Sequence, residues 1–350
     1  MQKVIQIGQR RIGPNQPAFI IAEAGINHNG QMTYAKKLID VAKDGGADAV
    51  KFQTFNTEEL VTQSAQKAEY QKTTDGSGES QYDMLKRLEL KKDDFIELAR
   101  YSKEKGIMFL STPFDKESVD LLDAIGMPVF KIGSGEITNF PLLTYTARKG
   151  KPIIVSTGMA TLGEIEEALK ILKNAGAEDI ILFHCVSSYP ARIEDINLKA
   201  METLKCAFNL PVGFSDHTLG LTASIAAVAL GACVIEKHFT LDKKLPGPDH
   251  RASLEPIELK QMIRAIRDVE KAMGNGIKMP TEDEEVNKKA VRRSIIANSD
   301  ILEGTIITEE MLSVKRPGTG ITSRYMELVV GRVAGKNIRK NELIKWEMLQ

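Results

Sequence analysis

The chain has 350 residues, of which 42% are apolar, 27% charged and 6% aromatic. That composition excludes global disorder and leaves ample material for a core. Its 47 basic and 47 acidic residues balance, which argues against a polybasic nucleic-acid or membrane-surface binder.

No run of about 18 apolar residues offers a transmembrane helix, and the N-terminus shows no signal-peptide pattern. Three scattered cysteines, Cys185, Cys206 and Cys233, read as buried thiols of a reduced, cytoplasmic protein. Residues 1–18 read as a small hairpin that plugs one end of the larger domain. Eight apolar runs of strand length come next, at 19–25, 49–55, 108–114, 129–136, 153–159, 180–185, 211–217 and 233–240. Helical patterns lie between them. Tyr34, Leu38, Val41 and Ala42 recur at helical spacing, and a Thr161–Glu164 capping box opens a helix that closes at Gly176. Strand and helix alternating eight times predict a parallel (β/α)8 TIM barrel over residues 1–274. No Gly-x-Gly-x-x-Gly turn follows the first strand, which disfavours a dinucleotide-binding open sheet. Residues 60–90 form a long insertion after the second strand. Residues 275–290 read as a charged linker, and 291–350 as a small β-rich domain.

Strands of a parallel barrel are expected to be apolar throughout, because both faces are covered. Here each run turns polar at its C-terminal end. The first ends in Glu23, the second carries Lys51 and Gln53, and the third Ser111 and Thr112. Lys131, Ser134 and Glu136 mark the fourth, Ser156 and Thr157 the fifth, and His184, Ser187 and Tyr189 the sixth. The last two end in Ser215, Asp216, His217 and in Glu236, Lys237, His238. A barrel gathers strand C-termini on one face, where such enzymes keep their active site.

Residue type then suggests chemistry. Lys51 and Lys131 alternate with apolar neighbours and point inward, so they suit a dianion, while the hydroxyls of Ser134, Ser156 and Ser215 suit phosphate oxygens. A ligand with one carboxylate and one phosphate satisfies both. A Schiff-base lysine is the alternative. His217 and His238 end consecutive strands about 4.8 Å apart, so their imidazoles can share one divalent ion such as Mn2+. Against this stands the plainer reading of a histidine that only hydrogen-bonds. Glu23 ends an apolar strand, where desolvation suits a general acid or base. The turn from Pro246 to His250 can present Asp249.

The segments IAEAGINHNG, VKFQTF, LSTPFD and FKIGSGE, with VSTGMA, HCVSSYP, GFSDHT, EKHFTLD and LPGPDHRASLEP after them, resemble the sialic acid synthases. Residues 293–349, with VKRPGTGI, resemble the antifreeze-like (SAF) domain at the C-terminus of that family. The resemblance implies a metal-assisted condensation of phosphoenolpyruvate with N-acetylmannosamine and water, giving N-acetylneuraminate and phosphate by C–O cleavage. It assigns phosphoenolpyruvate to Lys51, Lys131, Ser134, Ser156, Ser187 and Ser215, although some members carry Asn in place of Ser187. The metal falls to His217 and His238, with Mn2+ first and Mg2+ or Co2+ as alternatives. Glu23 is the catalytic carboxylate, supported by Lys51 and Lys131. Gln53, Glu136, Tyr189 and Asp249 are assigned to the sugar. Arg316 joins them across a domain-swapped homodimer in which the small domain caps the other subunit's barrel. Small-molecule substrates are the expected partners, with no nucleic acid and no membrane. The alternative within the class is a legionaminate or pseudaminate synthase acting on a related diacylamino hexose. The alternative outside it is a non-catalytic carbohydrate-binding or antifreeze-like module, which would leave the buried lysines and histidines without a purpose.

Overall fold

The computed structural model describes residues 3–68, 71 and 78–350. Part of the insertion expected at 60–90, namely residues 69, 70 and 72–77, lies outside the described residues. The chain divides into two compact units, residues 1–274 and 275–350.

The first unit opens with an antiparallel hairpin, β1 (Ile5–Ile7) and β2 (Arg10–Ile12). Ile5, Ile7 and Ile12 are buried in the main core. Arg10 pairs with Asp48 at 3.2 Å and Lys3 with Asp179 at 2.6 Å. Both aspartates precede barrel strands, so the hairpin covers the N-terminal end of the barrel. The eight barrel strands are β3 (Phe19–Gly25), β4 (Ala49–Thr54), β5 (Met108–Pro113), β6 (Phe130–Ile132), β7 (Ile153–Ser156), β8 (Ile180–Cys185), β9 (Val212–Asp216) and β10 (Val234–His238). They run in the order β5-β4-β3-β10-β9-β8-β7-β6, with parallel pairing. First and last strands pair directly, Val234 opposite Phe19, and β5 lies against β6, so the sheet closes. This is a TIM barrel, as the alternation predicts. The apolar runs are buried along their length because helices cover the outer face.

The outer helices are α1 (Met32–Gly45), α2 (Thr57–Leu60), α3 (Gln81–Leu88), α4 (Lys92–Lys105), α5 (Lys116–Ala124), α6 (Phe140–Ala147), α7 (Leu162–Asn174), α8 (Ala200–Phe208), α9 (Thr222–Ala229) and α10 (Pro256–Met273). The capping box is formed: Thr161 Oγ1 accepts from Glu164 N, and the Glu164 carboxylate accepts from Thr161 N. No described helix is long and apolar enough to cross a membrane. Cys185 and Cys233 are buried, but Cys206 is exposed on α8, contrary to the expectation of three buried thiols.

Close packing of β8, β9 and β10 leaves no room at Gly213. A Cβ there would come within 2.6 Å of both the Phe183 ring and the Val234 carbonyl oxygen. Because one obstacle is backbone, Gly213→Ala is expected to cost toward the upper end of about 1–3 kcal/mol. Urea denaturation measures this as a lower midpoint, and an unchanged midpoint would contradict the packing.

The second unit holds its own core around Ile295, Ile301, Ile307, Ile338 and Ile344. Its paired strands are β11 (Ser294–Ala297) and β12 (Leu312–Lys315), antiparallel with Ile295 opposite Val314. The stretch expected as a linker instead carries a ten-residue helix, α11 (Glu282–Val291). Its clustered charges are helix signals: a Thr281–Glu284 capping box, acidic residues in the first turn, and Lys288 and Lys289 in the last. Gly318 N donates to Lys289 O at 2.8 Å, tying α11 to its own unit.

Candidate active site

Strand alternation decides which residues face inward. On β4 the phase that buries Phe52 outward turns Lys51 and Gln53 into the barrel mouth. The same phase presents Glu23, Thr112, Lys131, Ser156, Cys185, Ser215, Glu236 and His238. With Ser134, Ser187, Tyr189 and His217 from the adjoining loops, they line a cavity of about 430 Å3. Phe114, Met159, Gln71 and Gln81 contribute to its wall.

The cavity floor is a buried charge cluster. Lys51 Nζ lies 2.8 Å from Glu23 Oε2 and 3.6 Å from Glu236 Oε2, and donates to Thr112 Oγ1 at 2.8 Å. Lys131 Nζ donates to Ser156 Oγ at 2.8 Å and lies 3.6 Å from Glu236 Oε1. Glu236 therefore bridges both ammonium groups and accepts from Ser215 Oγ at 3.0 Å. Reading strand ends notes Glu236 but gives it no role. Its position two residues before His238, on the same strand face, is the signal that places it inward.

The two carboxylates are driven apart. Burial raises the pKa of Glu23 to about 7; Lys51 works against the rise and Glu236 adds to it. Burial pushes Glu236 upward too, but Lys131 and Lys51 together outweigh it and hold this carboxyl at about 2. One carboxylate is thus permanently charged and the other titrates near neutrality, a division that suits acid–base work. Lys51 has its pKa raised: burial lowers it, but Glu23 and Glu236 more than offset this. For Lys131 burial prevails and the pKa falls.

Beside Lys131 the wall carries hydroxyls. Gly158 N donates to Ser134 Oγ at 3.1 Å. A Cβ on Gly158 would meet Ser187 Oγ at 2.2 Å and Ser134 Oγ at 2.7 Å, so only glycine fits behind them. Ser187 Oγ has no hydrogen-bond partner among the described residues. A buried hydroxyl with no partner on a cavity wall calls for a polar ligand.

The imidazoles of His217 and His238 stand with ring centroids 5.5 Å apart, and the Tyr189 ring lies 4.1 Å from His217 and 5.7 Å from His238. His217 Nδ1 donates to Val186 O at 2.7 Å and its Nε2 lies 3.4 Å from Ser215 Oγ; burial lowers its pKa, but Cys185 and the Val186 carbonyl more than offset this and raise it. His238 is held neutral by burial and by the neighbouring His217, and its Nδ1 has no hydrogen-bond partner among the described residues. One imidazole oriented by a carbonyl and one buried without a hydrogen bond at Nδ1 fit a divalent cation, which would displace the proton of the first. Among the described residues no cluster of three or more His, Cys, Asp or Glu side chains surrounds them. The remaining positions of such a cation would fall to substrate or water.

The remaining expected residues take different places. Gln53 Nε2 is 3.5 Å from Glu23 Oε1. Asp249 is buried behind the wall, its Oδ2 3.9 Å from His238 Nδ1, and burial raises its pKa to about 6. Glu136, expected at the sugar, is not among the residues lining the cavity. After Ile132 the chain leaves the strand for a 3-10 turn at Ser134–Glu136, and the Glu136 carboxylate accepts from Asn139 Nδ2 at 2.7 Å. Arg316 belongs to the small unit, where its Nε donates to Val291 O at 2.9 Å.

The NeuB family matches residues 38–278 and the SAF domain residues 292–350. An N,N'-diacetyllegionaminic acid synthase of Campylobacter jejuni is 54% identical over 93% of this chain and 98% of that protein. A second protein of that name, from Legionella pneumophila, is 47% identical over 97% of this chain and 96% of its own. The crystal structure of the N-acetylneuraminic acid synthetase of Leptospira borgpetersenii, in complex with citrate, matches with a TM-score of 0.72 at 39% identity. It covers 82% of this chain and 95% of that one. A synthase family that matches most of the barrel sets aside the reading as a non-catalytic module. A closed barrel whose mouth carries this charge cluster, continued by a SAF domain, together with these matches, shows that the chain belongs to the NeuB family and is a transferase of the sialic acid synthase type.

Proposed function

We propose that the cavity binds phosphoenolpyruvate across Lys51 and Lys131 and condenses it with the open-chain aldehyde of a diacylamino hexose, giving a legionaminate-type nine-carbon acid and phosphate. The observation that carries this is the meeting of two buried ammonium groups with Ser134, Ser156, Ser187 and Ser215 in one cavity. Such donors match a ligand bearing a carboxylate and a phosphate. The sugar is argued from similarity. The 54% and 47% identical relatives are legionaminic acid synthases, whereas the N-acetylneuraminic acid synthetase stands at 39%. This favours the diacylamino hexose over N-acetylmannosamine, the sugar the resemblance first suggests.

In this reading the methylene carbon of phosphoenolpyruvate attacks the aldehyde carbon and forms the C–C bond, while the aldehyde oxygen takes a proton. The former enol carbon takes water, and the tetrahedral centre expels phosphate with cleavage of its C–O bond. Glu23 accepts one proton of the incoming water and passes it to the former aldehyde oxygen, and the second proton leaves with the phosphate as the ketone forms. Lys131 and Ser156 carry the charge that develops on the departing phosphate. Lys51 holds the Glu23 carboxylate within 2.8 Å. His217 and His238 would hold a divalent cation, Mn2+ first, which when bound supplies Lewis-acid polarisation of the aldehyde oxygen. Two ammonium groups facing Glu236 and a partly ionised Glu23 leave little net positive charge for a polyanion, so a cation on the imidazoles also balances the site.

The test is phosphate release from phosphoenolpyruvate with Mn2+ and each sugar in turn. The diacylamino hexose is expected to exceed N-acetylmannosamine in kcat/KM by at least about tenfold. Equal or better turnover of N-acetylmannosamine would overturn the choice of sugar. The pH profile tests Glu23. As a base it must be ionised, so kcat/KM is expected to fall as pH drops through about 7. Glu23→Gln should abolish that limb along with most of the rate, and a variant that kept the limb would exclude Glu23 as its source. Stability moves the other way. A carboxyl whose pKa is raised on folding stabilises the fold fully below its unfolded value and less as pH rises through about 7.

A further inference from the structure

Directly behind the two imidazoles, on the outer face of the same strands, lies an ion pair that the proposed chemistry does not use. Asp216 ends β9 just before His217, and Lys237 precedes His238 on β10, so alternation sends both away from the cavity and toward the helices. Their side chains have no exposure at all, and Lys237 Nζ lies 3.0 Å from Asp216 Oδ2. The two residues are register partners across β9 and β10.

Apart from one bond to helix α9, the hydrogen bonds of the pair converge on Thr218. Asp216 Oδ1 accepts from Thr218 N at 2.8 Å and from Thr218 Oγ1 at 2.7 Å, and Oδ2 accepts from Ser224 Oγ of α9 at 2.6 Å. Lys237 Nζ donates to Thr218 O at 2.5 Å. Thr218 is the residue after His217, so His217 sits between a residue of the pair and the residue both members grip. On its other side the His217 carbonyl accepts from Ala191 N at 2.8 Å.

Stability does not explain such a pair. Taking two ions out of water costs several kcal/mol each, and a well-packed apolar pair of similar volume is commonly as stable or more so. What an ion pair adds is direction and register. Slippage of β10 against β9 by one residue would turn His238 out of the mouth and Lys237 into it. We infer that Asp216 and Lys237 are positioning residues for the imidazole pair: they lock β9 against β10 and fix the backbone after His217, so that His217 and His238 face each other at the spacing a shared cation requires. The inference rests on the reading of those imidazoles as a cation site.

The experiment uses the full chain and Mn2+ alone as the probe, measured by calorimetry beside thermal denaturation. Asp216→Asn leaves Lys237 buried without its counter-charge and is expected to weaken both the fold and Mn2+ binding. The double variant Asp216→Leu, Lys237→Met removes both charges while keeping volume. It is expected to fold with a denaturation midpoint at or above that of the parent chain, yet to bind Mn2+ at least about tenfold more weakly. Phosphoenolpyruvate binding in the presence of a chelator should stay at the parent value, because Lys51 and Lys131 are untouched. A double variant that binds Mn2+ as tightly as the parent overturns the inference. So does one that fails to fold, since the pair would then supply stability rather than position. His217→Ala serves as the control: if it kept parent Mn2+ affinity, the cation site itself, not the positioning pair, would be refuted.

Discussion

Replacing Lys131 by Met is expected to lower kcat/KM for phosphoenolpyruvate by about 100- to 1,000-fold, the usual effect of removing one preorganised donor to a developing charge. Three features of this ammonium underlie the size of the effect. It donates to Ser156 Oγ, it faces Glu236 at 3.6 Å, and it is buried. Its removal also leaves Glu236 with Lys51 as its remaining lysine partner, so a charge once shared between two cations would draw Lys51 away from Glu23. The loss should therefore appear in KM for phosphoenolpyruvate and in kcat together. Lys131→Arg should restore little, because a planar fork cannot occupy the point that an ammonium fills between Ser156 and Glu236. Steady-state kinetics at saturating sugar measure this. A K131M enzyme within about threefold of the parent would remove phosphoenolpyruvate from this wall.

The double variant His217→Ala, His238→Ala is expected to lose Mn2+ binding and at least about 1,000-fold in rate, since a Lewis acid contributes several kcal/mol to the barrier. The fold should survive. Both rings border a cavity, and their principal tie to the backbone is the single bond from His217 Nδ1 to Val186 O. Circular dichroism beside calorimetry separates the two effects. Retention of activity by the double variant in a chelator would exclude a catalytic cation on these imidazoles.

Much of this fold is legible in the sequence because a barrel imposes simple rules. Apolar runs such as 180–185 and 233–240 can only be strands, and their polar C-terminal ends have to share one mouth. Lys51 and Lys131 stand out because charge inside an apolar run is expensive. Glu236 shows the boundary of this reasoning. It sits on the same strand as two other polar residues, and pattern alone does not tell that one carboxylate bridges two lysines on different strands. The placement of Glu136 is hidden for the opposite reason: it comes soon after a strand in sequence, yet the turn beginning at Ser134 has already broken the alternation, and its carboxylate accepts from Asn139. The helix Glu282–Val291 is hidden because clustered charge reads as linker until the capping box and the graded charge along it are considered together. The Asp216–Lys237 pair is equally hidden. Both residues are visible at strand ends, but only their register across β9 and β10 shows that they meet.

A crystal of the full chain soaked with phosphoenolpyruvate and Mn2+, with data collected at the manganese absorption edge, tests the site most directly. The expected result is one anomalous peak bonded to His217 and His238, with phosphoenolpyruvate density spanning Lys51 and Lys131 and its phosphate against Ser134 and Ser156. Manganese bound away from both imidazoles, or phosphoenolpyruvate lying outside the reach of both lysines, would contradict it.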